Sequence, residues 1–411
     1  MNFNSLVLKI ASRCNLNCSY CFMYNLGDTT YKKQPKFMSP EVVDNLIEKT
    51  KEYIEKYNKK QFSFIFHGGE PLLASKDFFI EFVSKVKKNQ HDLTNVSFSF
   101  DIQTNGVLLD KSWIKLFKEL NISPSISVDG TKKAHDMYRV DHKGNGSYDS
   151  VFKSVKLLKS EMNFADIACV VNINESPEEI YKSFKEMNAS YVNFLIPDYT
   201  HDNFPFDKNK TLMADWLIDL FEIWIRDSKR FKIPLFLGLL NSFMRINENA
   251  KNESTVLVIE TNGEIEAIDS LKACGQGFTK TGLNIKDNSF QDIENTSLGK
   301  LYFNDLNTKL CKQCLECPLN EICKGGRLVH RHSKVNGFNN PSVYCNDLIK
   351  LIAHLQKFFI SCYPELHEKE NIEPINPIDI INYLSSFTDN SNSPYKKELE
   401  FFSEESLVAT V

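Results

Sequence analysis

The stretch SLVLKIASRCNLNCSYCF, residues 5–22, joins a run of apolar and β-branched residues to three closely spaced cysteines. Cys14, Cys18 and Cys21 follow a Cx3CxxC spacing. Three thiolates leave one iron of a cubane iron-sulfur cluster without a protein ligand, whereas four cysteines close the cluster. The spacing therefore predicts a 4Fe-4S cluster whose open iron takes part in chemistry. A zinc site and three unrelated buried thiols are the alternatives.

The fold is predicted from alternation of strand and helix patterns between residue 5 and about residue 200. Such alternation is typical of βα units around a parallel sheet. The six predicted strands are SLVLKIA, FSFIFH, VSFSFDIQ, SPSISV, DIACVVN and YVNFLI. Helices are predicted to begin near Ser39, Asp110, Tyr148 and Ser176. We therefore expect an α/β fold that begins with a partial (βα)6 TIM-like barrel.

Polar or glycine-containing motifs follow the first four predicted strands. Cys14 comes after the first strand, and the other motifs are His67–Glu70, Gln103–Gly106 and Ser127–Gly130. In TIM-like barrels the reacting groups come from loops at the carboxyl ends of the strands. The four motifs are therefore expected on one rim of the barrel, which supports the cluster prediction.

Composition limits the partners and the compartment. The 411 residues exceed the usual size of one hydrophobic core, so two domains are expected. The 49 basic and 53 acidic side chains give a net charge of -4, which argues against a nucleic-acid partner. The chain has no apolar run of membrane-spanning length and no signal peptide at its start, so we predict a cytoplasmic protein without a membrane partner.

The eleven cysteines of the chain fall mostly into two groups. In a reducing cytosol this crowding indicates metal ligands rather than disulfides, with Cys169 and Cys362 outside the groups. The second group follows VLVIETNGEIEAIDS, whose alternation about Asn262 and Gly263 predicts a β-hairpin. Its members are Cys274, Cys311, Cys314, Cys317, Cys323 and Cys345.

These patterns predict four regions along the chain. The barrel is expected over residues 1–210, a helical bridge over 211–255, a small cysteine-rich domain with the hairpin and helices over 256–350, and a helix with a polar tail over 351–411. Within the tail, PIDIINYLSSF is interpreted as a docked helix or as part of a mobile appendage.

The N-terminal cysteines resemble the radical S-adenosylmethionine superfamily, in which an aromatic pair such as Tyr20 and Phe22 flanks the third cysteine. This resemblance implies that the amino and carboxylate groups of S-adenosylmethionine coordinate the open iron. Gly68, Gly69 and Glu70 resemble the family's GGE motif, which contacts the amino group of this cofactor. Further implied contacts to the cofactor are Gln103, Asn105, Ser127, Asp129 and Arg139, the last as a bidentate partner of the carboxylate. Ordinary turn and capping roles are the alternative for each residue.

The C-terminal cysteines resemble a SPASM domain, which holds auxiliary clusters in radical S-adenosylmethionine enzymes. Cys314, Cys317, Cys323 and Cys345 fit its spacing and can close one 4Fe-4S cluster, although a four-cysteine zinc site uses similar ligands. Arg327 stands where the usual pattern has a further cysteine, and another cysteine is missing near Asp269. A second auxiliary cluster would therefore need Cys274, Cys311 and a non-cysteine ligand, or these two cysteines are vestigial.

The segment ICKGGRLVHRHSKVNGFNNPSVYCNDL, residues 322–348, resembles maturases that install cyclophane crosslinks in ribosomally synthesised precursor peptides. The resemblance implies that a 5′-deoxyadenosyl radical removes a Cβ hydrogen from the peptide and that the carbon radical then adds to an aromatic ring. An auxiliary cluster would accept the surplus electron, and an external electron donor would reduce the first cluster. His330, Arg331 and His332 are expected either between the domains or in a structural role.

Other functions stay open at this point, and no residue is assigned as catalytic. The nearest alternative is an anaerobic sulfatase-maturating enzyme that forms formylglycine. Thioether formation and peptide epimerisation are two more. A non-enzymatic zinc-binding protein that recognises peptides is the alternative from a different class.

Overall fold

The computed structural model describes residues 3–89, 96–244, 256–370, 372–387 and 392–404. The six predicted strands form, and their bounds are β1 Ser5–Ala11, β2 Gln61–Gly68, β3 Ser97–Thr104, β4 Ile122–Ser127, β5 Asp166–Val170 and β6 Tyr191–Leu195. Each pairs in parallel with its sequence neighbour, so the order β6-β5-β4-β3-β2-β1 follows the chain. This arrangement confirms the predicted α/β fold with a partial barrel.

The α-helices begin close to where the sequence places them. Ser39 and Asp110 cap α1 and α3, because their side chains accept hydrogen bonds from Val42 N at 3.3 Å and Trp113 N at 2.9 Å. The helix bounds are α1 Pro40–Tyr57, α2 Lys76–Asn89, α3 Lys111–Leu120, α4 Lys132–Tyr138, α5 Tyr148–Met162, α6 Pro177–Glu186, α7 Leu212–Arg226, α8 Pro234–Phe243, α9 Ser297–Lys300, α10 Lys312–Leu315, α11 Asn320–Cys323, α12 Cys345–Cys362, α13 Pro364–Glu370, α14 Pro377–Ser385 and α15 Lys396–Glu400. Short 3₁₀ helices cover Thr30–Lys33, Pro71–Leu73, Asp269–Cys274, Phe290–Asn295 and Leu328–Arg331, and a π-helical turn covers Leu301–Asp305. No helix in the described ranges is long and apolar enough to cross a membrane.

The barrel sheet has one apolar face and one polar face, because successive side chains of a strand point to opposite sides. On the apolar face, Phe64 and Phe66 of β2 pack edge-on against Phe82 of α2, with ring centroids 5.3 and 5.1 Å apart. On the other face, Ser63 donates a hydrogen bond of 2.9 Å to Asp101 of β3. A sheet face lined by hydroxyl and carboxyl groups is suited to a polar ligand rather than to a hydrophobic core.

The predicted hairpin forms, but it extends the barrel sheet. Its strands are β7 Val256–Ile259 and β8 Ile265–Glu266, which are antiparallel, with Gly263 at φ +87° in the turn. Strand β7 also pairs in parallel with β1, so the eight-stranded order ends β2-β1-β7-β8. The hairpin therefore shares main-chain hydrogen bonds with the barrel, which a hairpin of a separate domain would not do.

The chain forms two compact units, and their limits differ from the predicted regions. The first unit consists of Met1–Val170, Ser183–Leu195 and Lys251–Asn304, and the second consists of Val171–Lys182, Ile196–Ala250 and Asp305–Val411. The predicted boundary at residue 210 is not a limit of either unit, and the hairpin after residue 255 belongs to the first unit because β7 pairs with β1. The predicted boundary at residue 350 differs because α12 runs through it.

The second unit is helical, and its core includes the tail. Leu384 of α14 is buried with Leu319, Ile349 and Ile352, the last two from α12. The segment PIDIINYLSSF is therefore a docked helix, as one of the two sequence interpretations held. Burial of its apolar side chains stabilises the docked helix, whereas a tail of polar residues alone would gain no such free energy from docking.

Candidate functional site

The cysteine loop, residues 14–21, follows β1 directly. Tight turns hold it, since Cys21 N donates to Cys18 O at 3.0 Å and Asn25 Nδ2 donates to the same carbonyl at 2.8 Å. Leu16 N also donates to Cys14 Sγ at 3.4 Å. Burial raises the pKa of Cys14 to about 12 and that of Cys21 to about 11, and the thiols' own charges add to this rise. Thiolates in this loop therefore need a nearby cation, which iron would supply.

The glycine pair at the end of β2 packs against the backbone that leads into the cysteine loop. Gly69 N donates to Ala11 O at 2.7 Å, and a Cβ atom at Gly69 would lie 2.2 Å from Arg13 O. Gly68 has φ +131°, and a Cβ atom there would lie 2.2 Å from Ala11 O. The sequence interpretation assigned this close approach to a ligand; in the structure the approaching group is the protein's own backbone. Contact of the pair with a cofactor stays a prediction.

Glu70 connects the ends of β2 and β3. Its carboxylate accepts hydrogen bonds from Leu72 N at 2.9 Å, Thr104 Oγ1 at 2.7 Å and Asn105 N at 2.8 Å. Burial raises the pKa of Glu70, and these three donors oppose that rise. A carboxylate has about four acceptor positions, so one remains for a further donor such as an ammonium group.

Three more predicted residues lie at the carboxyl ends of β3 and β4. Asn105 Nδ2 donates to Asn15 Oδ1 at 2.8 Å and approaches Cys14 Sγ at 3.6 Å, which places it against the cysteine loop. Gln103 Nε2 donates to Ser127 Oγ at 2.9 Å. The structure therefore brings Asn105 to the cysteines, while Gln103 and Ser127 bond to each other.

Tyr20, Asp129 and Arg139 form a buried polar group beside Cys18. Tyr20 Oη donates to Asp129, whose other oxygen accepts from Val170 N at 3.0 Å, and Arg139 Nη1 donates to Tyr20 Oη at 2.8 Å. Burial raises the pKa of Asp129, and the charge of Arg139 opposes the rise. Arg139 is 8% exposed, and its Nε has no hydrogen-bond partner in the described part of the chain. A bound carboxylate would satisfy this donor, so the residues fit the predicted ligand.

A buried cluster of Lys9, His67 and Asp269 lies in the same unit. Lys9 is 0% exposed, and its Nζ contacts Asp269 and lies 2.9 Å from His67 Nδ1. Burial lowers the pKa of His67 to about 3. Burial opposes ionisation of Asp269 as well, but the charge of Lys9 outweighs it and lowers the carboxyl pKa to about 2. This cluster was not predicted from the sequence, where the one local signal is a lysine inside the largely apolar strand SLVLKIA. Phe22 lies near it, with its ring centroid 5.8 Å from Lys9 Nζ.

The cysteine cavity of the second unit is lined by four of the predicted ligands: Cys314, Cys317, Cys323 and Cys345. Cys314 lies in α10, Cys323 ends α11 and Cys345 begins α12, while Cys317 lies in the connection between α10 and α11. Burial raises the pKa of Cys345, and the charges of the other three cysteines add to the rise. The other lining residues are Gln313, Leu319, Asn320, Gly325, Ile349, Ile352 and Leu384. The structure thus collects the predicted auxiliary-cluster ligands in one largely apolar cavity.

The two remaining predicted ligands lie in different units. Cys311 is buried next to Cys314 in the second unit, and a hydrogen bond with Cys314 lowers its pKa. Cys274 ends a 3₁₀ helix of the first unit. A second auxiliary cluster at these two cysteines stays a prediction. Across the described ranges, no group of three or more His, Cys, Asp or Glu side chains is arranged to hold a metal ion.

The histidines of the segment 322–348 are structural in the second unit. His330 Nε2 lies 3.0 Å from Pro197 O, and His332 Nε2 lies 3.3 Å from Phe402 O. Burial lowers the pKa of His330 to about 3 and that of His332 to about 4. These neutral rings bridge chain segments through carbonyl groups.

Residues 8–194 match the family model of the Radical SAM superfamily. The chain is 29% identical over 362 residues to the cysteine-type anaerobic sulfatase-maturating enzyme of Clostridium novyi, covering 84% of this chain and 92% of the relative. It is 26% identical to the serine-type anaerobic sulfatase-maturating enzyme of Bacteroides thetaiotaomicron, covering 92% of this chain and 94% of the relative.

Solved structures give the same relationship. The native structure of anSMEcpe with bound AdoMet has a TM-score of 0.74 at 25% identity, covering 89% of this chain and 100% of that chain. A structure of anSMEcpe with bound AdoMet and the Kp18Cys peptide also has a TM-score of 0.74 at 25% identity, covering 88% and 99%. The similarity extends over both units rather than over the barrel alone.

Proposed function

We propose that this chain, which contains a radical SAM domain over residues 8–194, oxidises a cysteine or serine side chain of a protein substrate to formylglycine. At the coarser level it is a radical SAM enzyme that modifies a peptide. The observation that carries the finer proposal is similarity over 84% and 92% of the chain to cysteine-type and serine-type sulfatase-maturating enzymes. The comparisons therefore favour the alternative that the sequence left open over the cyclophane crosslink that it placed first.

An aromatic crosslink to a side-chain Cβ is the second candidate. The observation in its favour is Arg327, which stands where the usual SPASM pattern has a cysteine. Arg327 pairs with Asp198 at 2.7 Å in the second unit, so this position holds a salt bridge. This chain therefore has fewer auxiliary-cluster ligands than the usual SPASM pattern. That difference is the reason for testing an aromatic crosslink as the product besides formylglycine.

The chain's own residues supply the kinds of ligand that such chemistry requires. Cys14, Cys18 and Cys21 would hold the first cluster, and the four residues of the cysteine cavity would hold an auxiliary 4Fe-4S cluster. When bound at the first cluster, S-adenosylmethionine supplies the acceptor of one hydrogen atom from a substrate carbon. Arg139 would orient its carboxylate through the unpartnered Nε, and Glu70 has one free acceptor position for its ammonium group.

The barrel's polar face and the Lys9 cluster would serve the substrate. Hydroxyl and carboxyl groups such as Ser63 and Asp101 can bind main-chain groups of an extended peptide. Oxidation of a side chain also releases one proton. The ionised carboxylate of Asp269 and the neutral ring of His67 would be able to accept it, because Lys9 keeps the first charged and burial keeps the second neutral.

The test is anaerobic reaction of the reconstituted enzyme with S-adenosylmethionine, dithionite and two kinds of peptide. One peptide carries the cysteine or serine of a sulfatase motif, and the other is an aromatic-containing peptide encoded beside the gene. Formylglycine formation from cysteine replaces sulfur by oxygen with loss of two hydrogens, a crosslink loses two hydrogens and keeps all other atoms, and epimerisation leaves the mass unchanged.

Formylglycine in the sulfatase peptide supports the first proposal, and a crosslink in the neighbouring peptide alone supports the second candidate. If the anaerobically purified protein contains zinc but no iron or acid-labile sulfide, the result would support the non-enzymatic zinc-binding alternative and contradict both enzymatic proposals. Asp269→Asn provides an internal check, since its effect is expected on peptide product more than on binding of the peptide.

A further inference from the structure

Arg331 is a buried arginine next to the cysteine cavity. It ends the 3₁₀ helix Leu328–Arg331 and is 1% exposed. Its Nη1 donates a long hydrogen bond of 3.4 Å to Leu306 O. Its Nε and Nη2 have no hydrogen-bond partner among the residues that the structure describes. Buried N–H groups in proteins nearly always have partners, so these two donors point to a group that binds there.

Among the described residues, no carboxylate compensates the charge of Arg331. No ion pair joins it to an Asp or Glu in the described ranges, and the charges that act on it are those of the thiols of Cys314, Cys311 and Cys323. The influence is mutual. The hydrogen bond with Cys314 lowers the pKa of Cys311 and the charge of Arg331 adds to this, while at Cys314 the same charge opposes the rise in pKa that its hydrogen bond with Cys311 and burial cause. A guanidinium stays protonated in proteins, so burying it here requires a nearby anion.

Arg331 packs behind Gly325, one of the residues that line the cavity. A Cβ atom added to Gly325 would lie 3.1 Å from Arg331 Nη1. The glycine therefore allows the guanidinium to approach the cavity lining from behind. Arg327, four residues earlier, differs from Arg331 in exposure and in pairing, because it is 43% exposed and pairs with Asp198.

We propose that Arg331 is a positioning residue for the auxiliary cluster, which donates its Nε and Nη2 hydrogens to sulfur atoms on the Cys314 side and raises the reduction potential of the cluster. The inference rests on the proposed function, because it requires a 4Fe-4S cluster at Cys314, Cys317, Cys323 and Cys345. Net charge, hydrogen bonds to sulfur and solvent exposure set the potential of such clusters. A fixed positive charge stabilises the reduced form more than the oxidised form, because the reduced form carries one more negative charge.

The experiment uses the full-length Cys14→Ala, Cys18→Ala, Cys21→Ala variant, in which the auxiliary cluster is the expected cluster. After anaerobic reconstitution, its midpoint potential is measured by a redox titration followed by electron paramagnetic resonance. Adding Arg331→Gln is expected to move the midpoint to a more negative potential at unchanged iron and sulfide content. Arg331→Lys keeps the charge and is expected to shift it less, and the matched control Arg327→Gln is expected to leave it in place.

An Arg331→Gln midpoint equal to that of the parent overturns the proposal. A second measurement leaves Arg331 unchanged, so the proposal can be tested even if the Arg331→Gln variant does not bind its cluster. Pulsed electron paramagnetic resonance of the reduced parent with ¹⁵N-labelled arginine is expected to show a nitrogen coupling that Arg327→Gln retains, and absence of the coupling overturns the proposal. A parent without iron and sulfide would overturn the auxiliary cluster itself, so the two failures are distinguishable.

Discussion

The cysteine loop of the first unit and the cysteine cavity of the second use the same ligand in different surroundings. The loop lies among polar and charged groups, including Asn105 and Arg139, which retains a free donor. The cavity is lined by aliphatic side chains such as Ile349 and Leu384. Polar surroundings with spare hydrogen-bonding capacity suit a cluster that exchanges a ligand, whereas an apolar wall around four thiols suits a cluster that carries only electrons.

The two buried arginines sharpen this contrast. Arg139 donates to Tyr20 and is balanced by Asp129, so its local charge is already paired. Arg331 has no such carboxylate in the described ranges, and only thiols balance it. The first arginine can therefore bind a small ligand in addition to its protein partners, while the second depends on whatever the cysteines hold.

The largest expected effect comes from removing the loop's ligands. The Cys14→Ala, Cys18→Ala, Cys21→Ala variant is expected to lose release of 5′-deoxyadenosine completely, because no cluster remains to bind S-adenosylmethionine. Iron is expected to fall from roughly eight to roughly four atoms per chain, since each cubane holds four. Nucleoside release by this variant would contradict the assignment of the open cluster to the loop.

The converse change is Cys317→Ala with Cys323→Ala in the cavity. We expect peptide product to be lost while 5′-deoxyadenosine release stays within about twofold, because the loop keeps its cluster and cofactor contacts. Quantifying nucleoside and peptide product in the same reaction checks this. The exposed Cys362→Ala serves as the matched control and should retain both products. Equal loss of both products would show that the two sites are not functionally separate.

Glu70→Gln tests how much one buried carboxylate beside the cysteine loop contributes to the free energy of unfolding. The amide places a donor where the carboxylate now accepts from Leu72 N, Thr104 Oγ1 and Asn105 N. Leaving one buried donor without an acceptor is expected to lower the free energy of unfolding by about 1–3 kcal/mol, measured by denaturant titration. Glu81→Gln, at an exposed position of α2, is the control and should change the free energy of unfolding by less than about 0.5 kcal/mol.

The smallest expected effect concerns the stability of the first unit in acid, through His135. The backbone N of Asp129 donates a hydrogen bond of 3.3 Å to Nδ1 of His135. Burial, with help from the charge of Arg139, lowers the pKa of His135 to about 3. The folded protein therefore keeps this ring neutral while the unfolded chain binds a proton below about pH 6.5. Stability is fully present above that pH and falls on acidification, by up to about 1.4 kcal/mol per pH unit for this residue.

His135→Gln is accordingly expected to be less stable at pH 7 but to lose stability less steeply between pH 6 and 5. Ser147→Ala is the control, because it removes the 2.9 Å partner of the ring but keeps the titrating group. It should lower stability and preserve the slope. An unchanged slope in His135→Gln would assign the acid sensitivity of the first unit to other groups.

Local patterns predicted the barrel because each strand carries its own signal. The alternation in β2 puts Phe64 and Phe66 on one face and Ser63 on the other, and Ser39 and Asp110 mark helix starts through their own side chains. The hairpin was recognised for the same reason. Its position was not, because pairing of β7 with β1 joins residues some 250 positions apart and leaves no local pattern.

The site divides in the same way. Both cysteine groups are visible in the spacing of the sequence, and their role as cluster ligands stays a prediction. The Lys9 and Asp269 contact and the place of Leu384 in the cavity wall were missed, because each depends on segments that meet only in the folded chain. The glycine pair was found but given a different reason, since a sequence does not distinguish room for a ligand from room for backbone.

That glycine pair has a consequence for maintenance of the enzyme in a cell exposed to oxygen. Gly68 and Gly69 hold the stretch that leads into the cysteine loop through backbone contacts with Ala11 and Arg13, so these contacts use no iron ligand. We therefore expect this stretch to keep its conformation when oxygen destroys the first cluster. Rebuilding that cluster would then require iron, sulfide and electrons, with this part of the backbone already in place.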